Sequence, residues 1–415
     1  MKYNRNMELL SPAGNLEKLK AAVRFGADAV YCGAGAFSLR APETSFSLDE
    51  LAEGISYARR HGSRVYLAMN IFAFDEDFEE MIDYFKQAVD LGIDAVIVSD
   101  PGMLSLVRDM KSGVKIHLST QANTMNSESV KFWRNQGVDR IILARELSLD
   151  QISWIRKSVP GIELEVFVHG AMCMAFSGRC LLSKFLNDRS ANRGLCTQPC
   201  RWEYNMREVN RSEDLTIIEE AGGTFILNSK DLCMIEHIPE LVSSGVDSIK
   251  IEGRMKTVYY VAATTRIYRA ALNEYSRLGE AFSFNPQWLD ELEKVSHRPY
   301  TTGFFMPDRE DDTEYTKDSS YIRGYDFVGM VEQHIPEKNL MRIKARNRFS
   351  AGDMLEILDP EKSEVILIKV GRISDTETGG VLEAAHNSYR VDINLANNLS
   401  THVSSDSIIR RKSDN

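Results

Sequence analysis

Through the first 280 or so residues, short apolar runs alternate with amphipathic stretches at a regular beat. Met7–Leu10, Ala29–Cys32, Val65–Met69, Ala95–Val98, Ile116–Leu118, Arg140–Leu143 and Leu164–Val168 are too short for helices. They are also too continuously apolar for strands with one wet face, so they read as strands buried on both sides, as in a parallel sheet. Between them, Leu16–Phe25, Leu48–His61 and their successors carry helical periodicity. Four phrases say the same thing: Phe25-Gly26-Ala27-Asp28, Leu91-Gly92-Ile93-Asp94, Gln136-Gly137-Val138-Asp139 and Ser244-Gly245-Val246-Asp247 each mark a helix end, a glycine cap, an aspartate and a buried strand. The last introduces an eighth strand, Ser248–Ile251, followed by Glu252-Gly253-Arg254-Met255-Lys256 and a helix from Thr257 to Gly279. Eight such units predict an α/β fold, a (β/α)8 TIM-like barrel, ahead of a doubly wound open sheet. In a barrel the C-terminal strand ends share one rim, and chemistry is expected there.

The beat is broken once and then ends. After strand seven comes an insertion at about 170–240, of roughly 80 residues where a βα loop has 2–6. Within it Trp202–Val209, Leu215–Ile218 and Thr224–Leu227 read as short β segments. Residues 1–280 are therefore expected to form the barrel, and 281–322 a linker with a solvated acidic run at Asp308–Glu314. Residues 323–415 are expected to form a small β-barrel with strands at Asp326–Gln333, Leu340–Ala345, Asp353–Leu358, Val365–Val370, Val381–Ala384 and Ser407–Arg410.

Composition narrows the function classes. The 415 residues are 43% hydrophobic and carry a formal net charge of −10, which argues against a polyanion binder held by bulk charge. A local basic patch on structured RNA stays open. No apolar run is long enough to span a bilayer and the first residues lack a signal-peptide core, so a cytoplasmic protein without a membrane partner is expected. Reducing conditions there make clustered cysteines ligands or redox groups more often than disulfides.

Four of the six cysteines, Cys173, Cys180, Cys196 and Cys200, fall between positions 173 and 200, and Cys233 follows. Thiolates select zinc or iron–sulfur clusters. One tight hook, Cys196–Cys200, with wide gaps elsewhere favours a [4Fe–4S] cluster held from several loops over structural zinc or redox thiols. Spacing keeps the Cys196/Cys200 pair, while Cys233 ends a strand-like segment that could face the same rim. Cys32, inside a strand, reads as a buried hydrophobe.

Glu165-x-Phe167-x-x-Gly170-Ala171-Met172-Cys173, Cys180-x-x-Ser183, Asn192-Arg193-Gly194-x-Cys196, Cys200-Arg201, Ser229-Lys230-Asp231-Leu232-Cys233 and Lys250-Ile251-Glu252-Gly253-Arg254-Met255-Lys256 together resemble peptidase family U32, historically called collagenase-like peptidases. The resemblance covers residue 7 to about 305, and the β module is similar to the C-terminal domain of longer members and to domain II of elongation factor Tu. It implies a four-cysteine [4Fe–4S] cluster on Cys173, Cys180, Cys196 and Cys233, with Cys200 as the alternative ligand. It also implies oxygen-independent hydroxylation with prephenate as hydroxyl source, and, because the β module is present, tRNA wobble uridine as the substrate, giving 5-hydroxyuridine. Another RNA, a small aromatic ring, and a protein partner in cluster assembly or hydroxylation stay open.

Other candidates follow from their place on the rim. His169, Glu165, Lys230, Glu252 and Arg254 are expected in the chemistry; Arg179, Arg193, Arg201 and Lys256 suit a dicarboxylate or phosphate, and Gln121 and Asn123 a base edge or carboxylate. The competing readings are a hydrogen-bonded structural histidine, ion pairs with Glu165, Asp231 and Glu252, and helix capping in Ser119–Asn123. Arg342, Lys344, Arg346 and Arg348 alternate along one strand of the β module, as an RNA-facing stripe or a solvated face. Peptidase activity is the rival function, but the sequence has no H-E-x-x-H and no evident nucleophile–base pairing.

Overall fold

The computed structural model describes residues 7–39, 45–202, 229–306, 321–396, 399 and 401–413. Eight parallel strands form the first body: β1 (Glu8–Pro12), β2 (Ala29–Ala34), β3 (Arg64–Met69), β4 (Ala95–Val98), β5 (Lys115–Leu118), β6 (Arg140–Ile142), β7 (Glu163–Ala171) and β8 (Ser248–Ile251). Each pairs with its sequence neighbour, and β8 pairs with both β7 and β1. That closure makes a barrel and rules out the open sheet.

The repeated phrase has a mechanical reason. Gly26, Gly92, Gly137 and Gly245 take left-handed φ values of 102°, 89°, 90° and 81°, which end the preceding helix. The aspartate two residues later accepts a backbone N–H from the strand before: Asp28 from Leu9 and Asp94 from Val65, both at 2.8 Å, Asp139 from Ile116 at 2.7 Å, and Asp247 from Leu164 at 2.9 Å. The N-terminal face is thus sewn strand to strand by aspartate carboxylates, leaving the opposite rim free to carry loops.

The C-terminal body is a six-stranded antiparallel barrel: β9 (Tyr325–Ile335), β10 (Leu340–Ala345), β11 (Met354–Leu358), β12 (Ile366–Asp375), β13 (Arg390–Leu395) and β14 (Ile408–Lys412). Its ring runs β11–β14–β9–β10–β13–β12 and back to β11. Five strands lie where the alternation predicts. The expected strand at Val381–Ala384 is instead two two-residue pieces, and β13 takes its place in the ring. Val391, Ile393 and Leu395 are buried, but their partners Asp392 and Asn394 are poor strand formers, which hides the strand.

Residues 281–306 are a correction to the expected linker. Pro286–Glu293 is a helix and Tyr300–Thr301 a strand parallel to the short strand Asp231–Cys233. Trp288, Leu292, Val295 and Phe305 join the barrel core. The acidic run Asp308–Glu314 and the expected β segments beyond Trp202 lie outside the described residues.

The two bodies share a buried junction. Arg410 of β14 is fully buried and donates to Glu291 at 2.9 Å and to the Tyr259 hydroxyl at 3.3 Å in the first body, and to Glu356 at 2.8 Å in its own. Met330, Leu358 and Ile408 extend the barrel core into the second domain. No helix among the described residues is long and apolar enough to cross a membrane.

Candidate functional site

The rim opens into a cavity of about 1010 Å³. Strand-borne Tyr31, Phe167 and Lys250 line it from inside the barrel, the cysteine loop forms one wall, and Tyr321, Tyr325 and Phe327 of the second body form another.

The cysteine loop is pinned to the rim by side chains. Arg193 grips both Asp77 oxygens, at 2.6 and 2.8 Å, and the Phe72 carbonyl at 3.2 Å. Arg179 donates to the Gln121 carbonyl at 2.6 Å, and Gln121 Nε2 to the Ser177 carbonyl at 2.8 Å. Ser177, at φ 46°, hangs from Glu146 through its N–H at 2.6 Å and its hydroxyl at 2.7 Å.

All six cysteines lie among the described residues and none is in a disulfide. Cys173, Cys180, Cys196 and Cys200 line the cavity together. Burial first, then repulsion from Cys173, Cys196 and Cys180, opposed by Arg201, push the Cys200 thiol up to about 11. Backbone N–H groups of Leu182 and Gln198 point at the sulfurs of Cys180 and Cys196, both at 3.4 Å. Cys233 is elsewhere: it is buried on its short strand opposite His169, and burial pushes its thiol to about 12. The structure therefore groups Cys200, not Cys233, with the other three. A four-thiol donor set suits an iron–sulfur cluster in kind. Among the described residues, however, no three His, Cys, Asp or Glu side chains form a ready ligand set for a metal ion, so the fit is one of donor chemistry and shared wall.

Of the expected residues, Glu252, Arg254, Arg201, Lys256 and Gln121 line the cavity. Glu252 is buried and ion-paired to Arg145 at 3.0 Å; Arg254 donates to Ser38 at 3.1 Å. Lys256 donates to the Ser296 carbonyl at 3.1 Å, lies 4.1 Å from the Tyr321 ring, and is lowered to about 8, first by burial. Gln121 leaves its buried Oε1 without a hydrogen-bond partner.

Others are displaced. His169 is not in the cavity wall: a bulge sets Phe167 against Lys250 but His169 against Ile251, turning the imidazole towards the rings of Tyr260, Tyr268 and Tyr300. Burial there lowers it to about 3, so it is a neutral structural histidine. Glu165 is fully buried beneath the cavity, bridging Arg140 and Lys250, both at 3.0 Å. Arg179 and Arg193 are loop fasteners. Asn123, at φ 52°, ends the short helix Thr120–Ala122, and Lys230 stands off the wall. In the second body Arg342 pairs with Asp392 and Arg346 with Glu17, so the expected basic stripe is half neutralised. Arg145 and Arg323 were not expected. Arg145 sits two residues beyond the predicted end of strand six, on the same rim as Glu252 and Arg254 after strand eight, and its guanidinium lies 3.9 Å from the Phe167 ring.

Fold and site define a two-domain (β/α)8 protein with a thiol- and cation-lined rim cavity roofed by a β-barrel. Residues 14–315 match peptidase family U32 and residues 323–410 the peptidase family U32 C-terminal domain. The chain belongs to peptidase family U32. It is 39% identical over 388 residues to the tRNA hydroxylation protein P1 of Bacillus subtilis, covering 92% of this chain and 90% of that one. It is 32% identical to the 23S rRNA 5-hydroxycytidine C2501 synthase of Escherichia coli, over 94% of this chain and 56% of that one. It is also 30% identical to a collagenase of Porphyromonas gingivalis, over 89% and 90%.

Proposed function

We propose that this chain is an RNA-modifying hydroxylase that converts tRNA wobble uridine to 5-hydroxyuridine, with a [4Fe–4S] cluster on the rim thiols and prephenate as the hydroxyl source. The observation that carries the reading is the joint lining of one cavity by four thiols, a surplus of cations and aromatic rings from both bodies. The names of two relatives, a tRNA hydroxylation protein and an rRNA hydroxycytidine synthase, support the reaction class.

The residues divide the work by chemistry. Tyr321, Tyr325 and Phe327 offer faces on which a base can stack, worth about 1–3 kcal/mol per base. Arg201 and Lys256 suit backbone phosphate, and the Arg254 and Arg145 forks suit a carboxylate. Cys173, Cys180 and Cys196 would hold the cluster, with the fourth thiolate from Cys200 by cavity placement or Cys233 by family resemblance. Such a cluster supplies one-electron chemistry at the wall of the cavity. Lys256, lowered to about 8, can hold or release a proton near neutral pH.

Peptide hydrolysis is the rival. Among the described residues no histidine lines the cavity, so no serine or cysteine there has an imidazole base. The test is nucleoside analysis of tRNA from a deletion strain, with iron and sulfide measured on anaerobically purified protein. Loss of 5-hydroxyuridine derivatives, restored by the wild type but not by Cys173→Ala, is expected. Unchanged tRNA sinks the substrate, stoichiometric zinc without iron sinks the cluster, and peptide hydrolysis that survives Cys173→Ala revives the peptidase.

A further inference from the structure

The cavity reaches into the barrel mouth, and there it meets a primary amine in an unusual setting. Lys250 is 4% exposed yet lines the cavity. Its Nζ donates to Glu165 at 3.0 Å and otherwise faces the rings of Tyr31 at 4.3 Å and Phe167 at 5.3 Å. An ammonium has three donors, and a lysine kept only to balance a buried carboxylate would direct more than one of them at acceptors.

Glu165 is the second part of the arrangement. It is fully buried, and its other oxygen accepts from Arg140 at 3.0 Å, which is itself tied to Glu8 and Glu163. The carboxylate is thus fixed beside the amine, placed to take a proton from it and return it. Burial pulls the Lys250 amine below its ordinary range, opposed by Glu165 and Glu252 and assisted by Arg254. A desolvated lysine beside a proton acceptor, at the C-terminal end of a barrel strand, has what a carbonyl-condensing amine needs. Arg254 lines the same cavity and brings a guanidinium group towards it, while Arg145, also in the wall, already donates to Glu252 at 3.0 Å and the Ala171 carbonyl at 2.8 Å.

We propose that Lys250 condenses with the ketone of a 2-oxo acid whose carboxylate lies towards the Arg254 side of the cavity. The ammonium gives one proton to Glu165, and the free amine adds to the carbonyl carbon, forming the C–N bond. The carbinolamine then loses its hydroxyl as water, taking the proton back from Glu165 and leaving a protonated imine. No electrons enter or leave. Prephenate is itself a 2-oxo acid, so the assignment rests on the donor proposed above and adds to it a covalent step at Lys250.

Reductive trapping tests it on the full chain. Protein incubated with pyruvate and borohydride is digested and its lysines mapped by mass spectrometry, with no RNA present. The expected result is a carboxyethyl adduct at Lys250 that saturates with pyruvate concentration. In Glu165→Gln its formation is slowed by about 100-fold or more, within the range of general acid–base catalysis. Lys250 unmodified while exposed lysines such as Lys86 react, or Lys250 reacting without saturation, overturns the proposal. The wild-type map decides the matter even if Glu165→Gln fails to fold. The trap reads the amine alone, so it succeeds or fails independently of any change in tRNA.

Discussion

The choice between Cys200 and Cys233 is a question about single side chains. Cavity placement predicts that Cys200→Ser loses iron, as do Cys173→Ser, Cys180→Ser and Cys196→Ser, whereas Cys233→Ser keeps it. Iron and sulfide on anaerobically purified variants check this; the opposite pair of results would mean that the strand Asp231–Cys233 presents its last side chain to the cavity once metal is bound. His169 gives a second residue-scale prediction. Its folded value of about 3 lies below the ordinary 6.5, so the unfolded chain binds the extra proton first. The stability due to neutral His169 is present above pH 6.5 and is lost as pH falls towards 3. His169→Asn should therefore flatten the fall in unfolding midpoint on acidification and leave the pH profile of activity in place. A shifted activity profile would restore His169 as an acid or base.

At the level of elements, the bulged end of β7 decides which residues reach the cavity. Gly170 has φ 102°, and a Cβ there would meet the Glu252 carbonyl oxygen at 2.5 Å. Gly170→Ala should cost about 1–3 kcal/mol in denaturant unfolding and disturb Glu252 first. The bulge also explains what sequence could and could not reveal. Strict alternation from Glu165 would carry Phe167 and His169 to the same face, and one inserted residue reverses His169 without leaving a mark in the pattern. The eight barrel strands were legible because short apolar runs recur at a regular beat and because glycine and aspartate mark four of the αβ joints for a local geometric reason. Spacing also keeps Cys200 beside Cys196, but it cannot show that Cys233 lies apart from the cavity wall, because loop coordinates depend on fasteners such as Arg193–Asp77, which join residues 116 positions apart. Arg193→Met should accordingly loosen the cysteine loop, seen as faster limited proteolysis there and weaker iron retention, with the barrel's thermal transition little changed.

Across the whole molecule the charge is distributed against its average. The chain carries −10 overall, while the cavity is lined by five arginines and two lysines against Glu252 and Asp326. Anion attraction is therefore local, and tRNA affinity should fall steeply with salt, by a slope that Lys256→Met and Arg201→Met reduce by about one each. The junction at Arg410 holds the roof over this cavity. Arg410→Met leaves Glu291 and Glu356 with only Lys294 as a cationic partner and should cost about 3 kcal/mol, because a buried ion network that loses one member is left under-compensated. Its unfolding should separate into two transitions if the junction is what couples the bodies. The same junction sets a calendar for the nascent chain. Every cysteine and every strand of the (β/α)8 barrel is synthesised before residues 321–327 and the strand bearing Arg410, and N-terminal bodies fold first. For that interval the thiol wall stands without its roof, and the proposed cluster should load faster into that intermediate than into the finished chain.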